Sequence, residues 1–206
     1  DKTDFHQMVA TMASIPRKQA KTINLGLFYG MGNKKLAAQL GLEQDQAYEL
    51  FNQYHNKVPF VRELSRQVSN VAGSRGYIKT LLGRKRRFDL WEPRDSWGER
   101  AYSLSEAYSH YPKQELKRAY THTALNALIQ GSSADITKSA MIKIYEAGLL
   151  DEIDLKLTIH DELDFSIPRN KQKCFEEALQ IMKTCVKLKV PLKVDVEKGD
   201  NWGNAK

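Results

Sequence analysis

The segment 17–30, RKQAKTINLGLFYG, constrains the chain most, because its charged and aromatic side chains recur at a fixed spacing. Four of them follow one another at intervals of four residues: Arg17, Lys21, Leu25 and Tyr29. On an α-helix this spacing makes one slowly drifting stripe, roughly 18 Å long at about 1.5 Å per residue. Two cations at one end and an aromatic ring at the other suit a ligand that carries phosphates and a flat base. Taken alone, such a stripe is more often a solvated basic face.

Sequence signals also mark the ends of this helix. We expect Ser14 to cap it, Pro16 to occupy its first turn and Gly30 to end it. Gly26 lies in its interior, where glycine costs about 1 kcal/mol relative to alanine. We therefore expect another group to approach the backbone closely at Gly26.

The remaining periodicities predict an α+β chain, nearly all helical at first and mixed towards the end. Helices are expected over residues 33–39, 43–71 with a break at Pro59, 115–147 with an interruption at Gly131, and 170–188. Hairpins are expected at 73–88 around Gly83 and at 155–168, a last strand at 192–197, and irregular structure at 89–114. This change of pattern suggests two lobes that meet near residue 120.

Composition narrows the class of protein without identifying a function. The 206 residues are 41% hydrophobic and 28% charged, as in ordinary globular proteins. The net charge of +7 fits a polyanionic partner, although many basic proteins carry such a charge for solubility alone. No apolar run approaches the length of a membrane span, so we expect no membrane partner. The spacing of Cys174 and Cys185 fits neither a zinc site nor a redox pair, which indicates a reducing intracellular setting.

The tripeptide His160-Asp161-Glu162 lies between apolar residues, at the expected tip of the second hairpin. Two adjacent carboxylates held in solvent suit Mg²⁺, which prefers oxygen ligands and few protein contacts. An ordinary acidic β-turn has the same pattern and is the more frequent explanation of the tripeptide alone.

A second stripe of polar residues precedes Gly131. His122, Asn126 and Gln130 are spaced at four residues, so they would share one helical face. Polar side chains on such a face can reach the minor-groove acceptors that are similar in all base pairs. The alternative is a polar stripe that faces only solvent.

Further cations and one histidine are candidates for phosphate contacts. Arg84 and Arg86 belong to the basic run 83–87, which we expect at the tip of the first hairpin. A solvated basic turn is equally consistent with that run. His6 lies just upstream of the opening stripe and could reach a phosphate, although a lone histidine is more often structural.

Taken together and in this order, these motifs resemble those of family A DNA polymerases, the group of bacterial polymerase I and several phage replicases. The resemblance covers essentially the whole chain. The matching motifs are DFH at 4–6, R-x3-K-x7-YG at 17–30, TLLGRKRR at 80–87, H-x-A-L-N-x3-QGSSAD at 122–135, IHDELDF at 159–165 and VPLKVDVEKGDNWG at 190–203. His rather than Arg at position 122, and the short gap between His6 and Arg17, are closer to phage members.

The resemblance implies a helical fingers subdomain at residues 1–118 and the C-terminal part of a palm subdomain at 119–206, with a small antiparallel sheet. It implies DNA-directed DNA synthesis, in which two Mg²⁺ ions assist the addition of deoxynucleotides to a primer 3′-end. The implied partners are primer–template DNA and deoxynucleoside triphosphates. The implied location is the cytoplasm or nucleoid of a bacterial or phage-infected cell.

Residue roles follow from the same resemblance. The incoming nucleotide would contact His6, Arg17, Lys21, Leu25, Tyr29 and Gly30. Primer–template DNA would contact Arg84, Arg86, His122, Asn126, Gln130 and His160. Asp161 would bind the metal ions, Glu162 would support the site, and Lys21 would neutralise or protonate the leaving group.

Two departures from the family pattern have consequences. Leu25 stands where the family usually has Phe or Tyr beside the sugar of the incoming nucleotide, and Leu lacks both the flat face and the hydroxyl. The family's other metal-binding aspartate lies in a strand motif upstream of the residue that matches Asp4, and no DYSxxE-like segment occurs in this sequence. We therefore expect a C-terminal polymerase portion, completed by an N-terminal segment or a second polypeptide. The alternatives are a non-catalytic module that binds primer–template or nucleotide, and a helical protein–protein scaffold.

Overall fold

The computed structural model describes residues 4–95 and 100–205. Within those ranges the chain forms eight α-helices and six short β-strands, which are paired in three antiparallel sheets. The α+β fold class predicted from the sequence is therefore confirmed. The chain divides into two compact units, Asp1–Ile129 and Gln130–Lys206. The assignment of residues 1–118 to fingers and 119–206 to palm stays a prediction.

Five helices open the first unit, close to where the sequence predicts them. They are α1 (Phe5–Ala13), α2 (Arg17–Phe28), α3 (Asn33–Leu40), α4 (Gln44–Lys57) and α5 (Pro59–Arg75). The predicted break at Pro59 is confirmed, because this residue is the first of α5, where its missing N–H breaks no helical hydrogen bond.

The start of α2 differs from its prediction. Ser14 does not cap α2, because it ends α1 in a left-handed conformation with a φ of +52°. Pro16 occupies the cap position of α2 and offers no side-chain hydrogen bond. Asp4 caps α1 by accepting hydrogen bonds from the backbone N–H groups of His6 and Gln7, at 2.9 and 3.0 Å. A turn of only three residues, 14–16, therefore separates the two helices.

One face of α2 is anchored in the first hydrophobic core. Ala20, Ile23 and Leu27 are buried there against α1, α3, α4 and the start of α5. The other buried members are Val9, Ala10, Leu36, Leu50, Tyr54, Val58 and Val61. Full burial of an Ile or Leu side chain contributes about 1.5–3 kcal/mol to folding, so this packing fixes the rotation of α2 about its axis.

Short strands and one helix follow in the first unit. In chain order they are β1 (Tyr77–Lys79), β2 (Lys85–Arg87), β3 (Trp91–Pro93), α6 (Leu104–His110) and β4 (Leu116–Arg118). β1 pairs with β2 and β3 pairs with β4. The hairpin around Gly83 is confirmed, although it starts later than predicted because α5 continues to Arg75. The prediction of irregular structure over 89–114 is wrong where β3 and α6 lie, since such short elements leave too few residues for a periodicity.

α7 (Ala124–Glu146) runs without interruption through 23 residues. The predicted interruption at Gly131 is wrong, because a glycine costs a helix interior only about 1 kcal/mol and tertiary packing overrides it. The predicted start at residue 115 is also wrong. β4 and a 3-10 turn at Thr121–Thr123 precede the helix.

The second unit combines a hairpin with one helix. β5 (Asp154–Ile159) pairs with β6 (Glu162–Ser166), as predicted for 155–168, and α8 (Gln172–Thr184) follows. Their core contains Ile144, Leu149, Ile153 and Ala178. The strand predicted at 192–197 is wrong, since these residues pair with no other strand in the described part of the chain. Across residues 4–95 and 100–205, no helix has the length and apolarity that a membrane crossing requires.

Candidate functional site

α2 carries the predicted stripe on the surface, away from its core face. Arg17 and Lys21 are exposed, and the side chain of Leu25 is 43% exposed. Residues four apart on a helix are separated by about 6 Å along its axis. Because the opposite face is packed, the stripe presents two cations at a fixed spacing, to which a ligand with several phosphates can bind.

Arg17 is held by a carboxylate from the start of α1. Its Nε and Nη2 atoms lie 2.9 and 2.8 Å from Oδ2 of Asp4. Hydrogen bonds from the backbone of Gln7 and from the Arg17 side chain lower the pKa of Asp4 below its usual value. Both partners are exposed, so the pair contributes little to stability. It does keep the guanidinium beside the first turn of α1.

His6 is tied to α2 and α4, and therefore is not an isolated surface histidine. Its Nδ1 lies 3.0 Å from Nδ2 of Asn24 on α2. Oδ1 of Asn24 accepts a hydrogen bond from the Tyr54 hydroxyl of α4, at 2.9 Å. Burial raises the pKa of Tyr54 to about 12, so that hydroxyl keeps its proton at neutral pH.

The aromatic end of the stripe lies where α2 stops. Tyr29 is the C-terminal cap, and its ring packs edge-to-face against Phe28 with centroids 5.5 Å apart. Gly30 follows with a φ of +87°, a value that favours glycine. The close approach expected at Gly26 is confirmed, because an added Cβ would overlap Cε of Met31.

The tight turn of the second unit carries the predicted metal-binding residues. His160 has a left-handed φ of +55°, and Asp161 follows it between the two strands. Glu162 is the first residue of β6. Leu163 packs against the core, so the alternation of a strand places Glu162 and Asp164 together on the other face.

Carboxylates crowd this face of the hairpin. Repulsion from Asp164 is the main cause that raises the pKa of Glu162, and hydrogen bonding to Asp164 and the charges of Glu197 and Asp161 act in the same direction. Oδ2 of Asp164 is buried and has no hydrogen-bond partner among the described residues. Oxygen donors under mutual repulsion are the ligand type that Mg²⁺ prefers.

The number of such donors is nevertheless small. Within 4–95 and 100–205, no three or more His, Cys, Asp or Glu side chains are grouped so that they could hold a metal ion. The oxygen donors of the turn are of the chemical type that fits Mg²⁺.

The predicted polar stripe before Gly131 is divided between two elements. Asn126 and Gln130 lie one turn apart on α7, but His122 lies in the preceding 3-10 turn. The single helix expected for all three is thus wrong for His122, because Tyr120, with a φ of +59°, turns the chain before α7 begins. Oδ1 of Asn126 is buried without a hydrogen-bond partner in the described residues, so this amide keeps an acceptor for another group.

The sequence placed the whole basic run 83–87 at the tip of the first hairpin, but only Gly83 and Arg84 lie in the turn, because β2 begins at Lys85. Arg84 closes the turn with its backbone N–H, which donates to Oγ1 of Thr80 at 3.0 Å, and Arg86 lies in β2. The guanidinium of Arg86 lies 5.6 Å from the centroid of the Phe88 ring. Residues 80–84 form the turn themselves, so the cations that follow alternate between the faces of a strand.

Sequence reasoning missed several residues that the structure places beside the predicted ones. Asn24 and Tyr54 hold His6, and Asp164 and Glu197 surround Glu162. The sequence did contain a signal for Asn24, because this polar residue lies on the face of α2 that the helical periodicity predicts to be buried. Asp164 follows Glu162 by two positions in a strand, which was a signal for a shared face.

The chain is similar to known proteins over almost its whole length. A family profile described as DNA polymerase family A matches residues 2–204. A DNA-directed DNA polymerase of Pseudomonas phage M6 is 38% identical over 98% of this chain and 32% of its own length. DNA polymerase I of Rhizobium leguminosarum is 31% identical over 100% of this chain and 20% of its own length.

A solved structure has the same fold. It is the POL domain of Pol1 from M. smegmatis in complex with DNA primer-template and dNTP, with a TM-score of 0.76 and 32% identity. The match covers 98% of this chain and 35% of that one. The chain therefore spans about a third or less of the length of these relatives.

Proposed function

The chain belongs to DNA polymerase family A, and on that premise we propose that it takes part in template-directed addition of deoxynucleotides to a primer 3′-end. It would do so as a fragment or split subunit that needs an upstream polymerase segment. The exposed cationic stripe of α2, held in place by a buried opposite face, is the observation that carries this proposal.

The first unit would bind the incoming nucleotide. Arg17 offers a planar fork of donors to phosphate oxygens, and Lys21 offers a compact charge one helical turn further on. Lys21 would neutralise negative charge on the leaving pyrophosphate and donate a proton to it. Tyr29 and Gly30 would lie at the base-pair pocket, at the end of α2.

The second unit would contribute to the metal site. Asp161 would hold the divalent cations, and Glu162 would support it from the first position of β6. Two Mg²⁺ ions, when bound, would supply Lewis-acid stabilisation to the attacking 3′-oxygen and the leaving oxygen. An upstream segment would add another carboxylate ligand to this site.

Side chains of the protein would contact primer–template DNA in its minor groove and along its phosphate backbone. Asn126 and Gln130 would reach shared minor-groove acceptors by donating hydrogen bonds from their amide NH2 groups. Arg84 and Arg86 would contact phosphates without reading sequence. His122 and His160 would lie near the primer end.

Primer extension tests the proposed activity directly. The chain would be assayed with Mg²⁺, primer–template and four deoxynucleotides, with and without the upstream polymerase segment. We expect extension when that segment is present. DNA binding without any extension in either mixture would favour a non-catalytic binding module. DNA affinity that is absent, or that does not fall steeply as salt rises, would favour a protein–protein scaffold.

Leu25→Tyr is expected to change sugar selectivity. A tyrosine hydroxyl at this exposed position offers a hydrogen bond that can replace the one lost with the 3′-hydroxyl of a dideoxynucleotide. One neutral hydrogen bond corresponds to a roughly 3- to 10-fold relative gain in dideoxynucleotide use. Leu25→Phe is the matched control, because it adds the ring without the hydroxyl. Equal discrimination by all three proteins would remove Leu25 from the sugar pocket.

A further inference from the structure

His6 stands at the end of a hydrogen-bond chain whose direction is fixed by amide chemistry. The Tyr54 hydroxyl donates to Oδ1 of Asn24 at 2.9 Å, so Nδ2 of Asn24 faces Nδ1 of His6 at 3.0 Å. An amide nitrogen can only donate. Nδ1 of His6 must therefore accept, and the proton of the neutral imidazole then lies on Nε2.

Burial makes this arrangement difficult to reverse. Asn24 is 8% exposed and Tyr54 is 2% exposed, so water has little access to replace either partner. Rotating the Asn24 amide by half a turn would make its nitrogen donate to the oxygen of the Tyr54 hydroxyl, so the buried hydroxyl proton would lose the acceptor that it now has. Buried polar groups that lose their partners are costly, which holds the amide in one orientation.

The same neighbourhood contains the first cation of the stripe. Oδ1 of Asp4 accepts from the backbone N–H of His6, and Oδ2 of the same carboxylate binds the guanidinium of Arg17. Donors from α1 and α2 are therefore gathered around one carboxylate. An anion that binds Arg17 would meet the start of α1, where His6 lies.

From this geometry we propose that Asn24, locked by Tyr54, is a positioning residue that fixes His6 as an Nε2–H donor to the triphosphate of the incoming nucleotide. The ligand in this proposal rests on the proposed function. The tautomer rests only on the hydrogen bonds, so the two parts can be tested apart.

Nitrogen NMR of the histidine-labelled polypeptide tests the tautomer without any nucleotide. At a pH where the ring is neutral, His6 should carry its proton on Nε2. Asn24→Asp replaces the donor by a carboxylate that can only accept, so the proton should move to Nδ1. Tyr54→Phe removes a single hydroxyl and frees the amide, so both tautomers should appear. Tyr48→Phe alters an exposed tyrosine of the same helix and should change nothing.

Steady-state extension by the completed polymerase tests the role. Loss of one hydrogen bond to a charged phosphate should raise KM for the deoxynucleotide roughly 10-fold in Asn24→Asp and Tyr54→Phe, with a smaller change in kcat. The Tyr48→Phe enzyme should keep the original KM.

Two results would overturn the proposal in different ways. An Nδ1–H tautomer in the unaltered protein, or a tautomer that neither variant shifts, would refute the positioning role whether or not the chain is a polymerase. A shifted tautomer with an unchanged KM would refute the contact between His6 and the triphosphate, while extension by the unaltered protein would still support the proposed function. If Asn24→Asp does not fold, the smaller change in Tyr54→Phe decides alone.

Discussion

Asp161→Ala is expected to lower primer extension by roughly 10³-fold or more in the completed polymerase, because it removes the proposed ligand of the catalytic cations. DNA binding should persist, since Asp161 lies in the tight turn between β5 and β6 and contributes nothing to the core of its unit. Single-turnover extension measures the first effect, and titration of labelled primer–template measures the second.

The matched control is Asp154→Ala, in the same hairpin but at the opposite end of β5. Asp154 forms an exposed ion pair with Lys156, at 3.1 Å, and such a pair contributes little to stability. This variant should extend primers at the original rate. Normal extension by Asp161→Ala would contradict the metal role, and equal losses in both variants would indicate damage to the hairpin.

Lys21→Ala is expected to raise KM for deoxynucleotides by roughly 10- to 100-fold, as loss of a hydrogen bond to a charged group predicts. The reason is its position on the exposed stripe one turn after Arg17, where its ammonium would meet the phosphates. Because the leaving group would also lose its proton donor, kcat should fall as well. Extension rates at increasing deoxynucleotide concentration separate the two effects.

Lys18→Ala is the matched control, because it also replaces one exposed lysine of α2 by alanine and so removes the same charge from the same helix. Lys18 is exposed in the first turn of α2 and is not one of the four stripe residues. It lies about 100° around the helix axis from Arg17 and about 60° from Lys21. Its removal should leave nucleotide dependence nearly unchanged. If the Lys21→Ala and Lys18→Ala enzymes had the same KM and kcat for deoxynucleotides, the position of Lys21 on the stripe would have no role in nucleotide binding.

Regular, amphipathic elements could be predicted from the sequence, because their signals are local. The helices broken at Pro59 and the hairpin with Asp161 in its turn depend on proline geometry and on alternation, both of which a short window contains. The exposed placement of Arg17 and Lys21 followed from the same periodicity. These are also the parts of the candidate site that the structure locates where they were expected.

Other features depend on partners that are distant in sequence. The segment 192–197 has suitable alternation but pairs with no strand among the residues that the structure describes, and an isolated strand is not stable. β4 could not be predicted from the sequence, because its three residues form a strand only by pairing with β3. Asn24 could be recognised as a polar residue at a buried position, but its partners come from helices 18 residues earlier and 30 residues later.

The bond between Asp4 and Arg17 bears on which anions the stripe can select. An anion that binds this guanidinium exchanges with, or binds beside, a counter-ion that the protein itself supplies, so its net attraction is smaller than that to a free guanidinium. A monovalent ion such as chloride gains almost nothing from that exchange. A polyvalent ligand can bind Arg17 and Lys21 at the same time. Its attraction to Lys21 is not reduced by a counter-ion, because the described contacts pair Asp4 with Arg17 and give Lys21 no carboxylate partner. The ion pair between Asp4 and Arg17 therefore favours the binding of polyvalent anions over monovalent anions at this stripe.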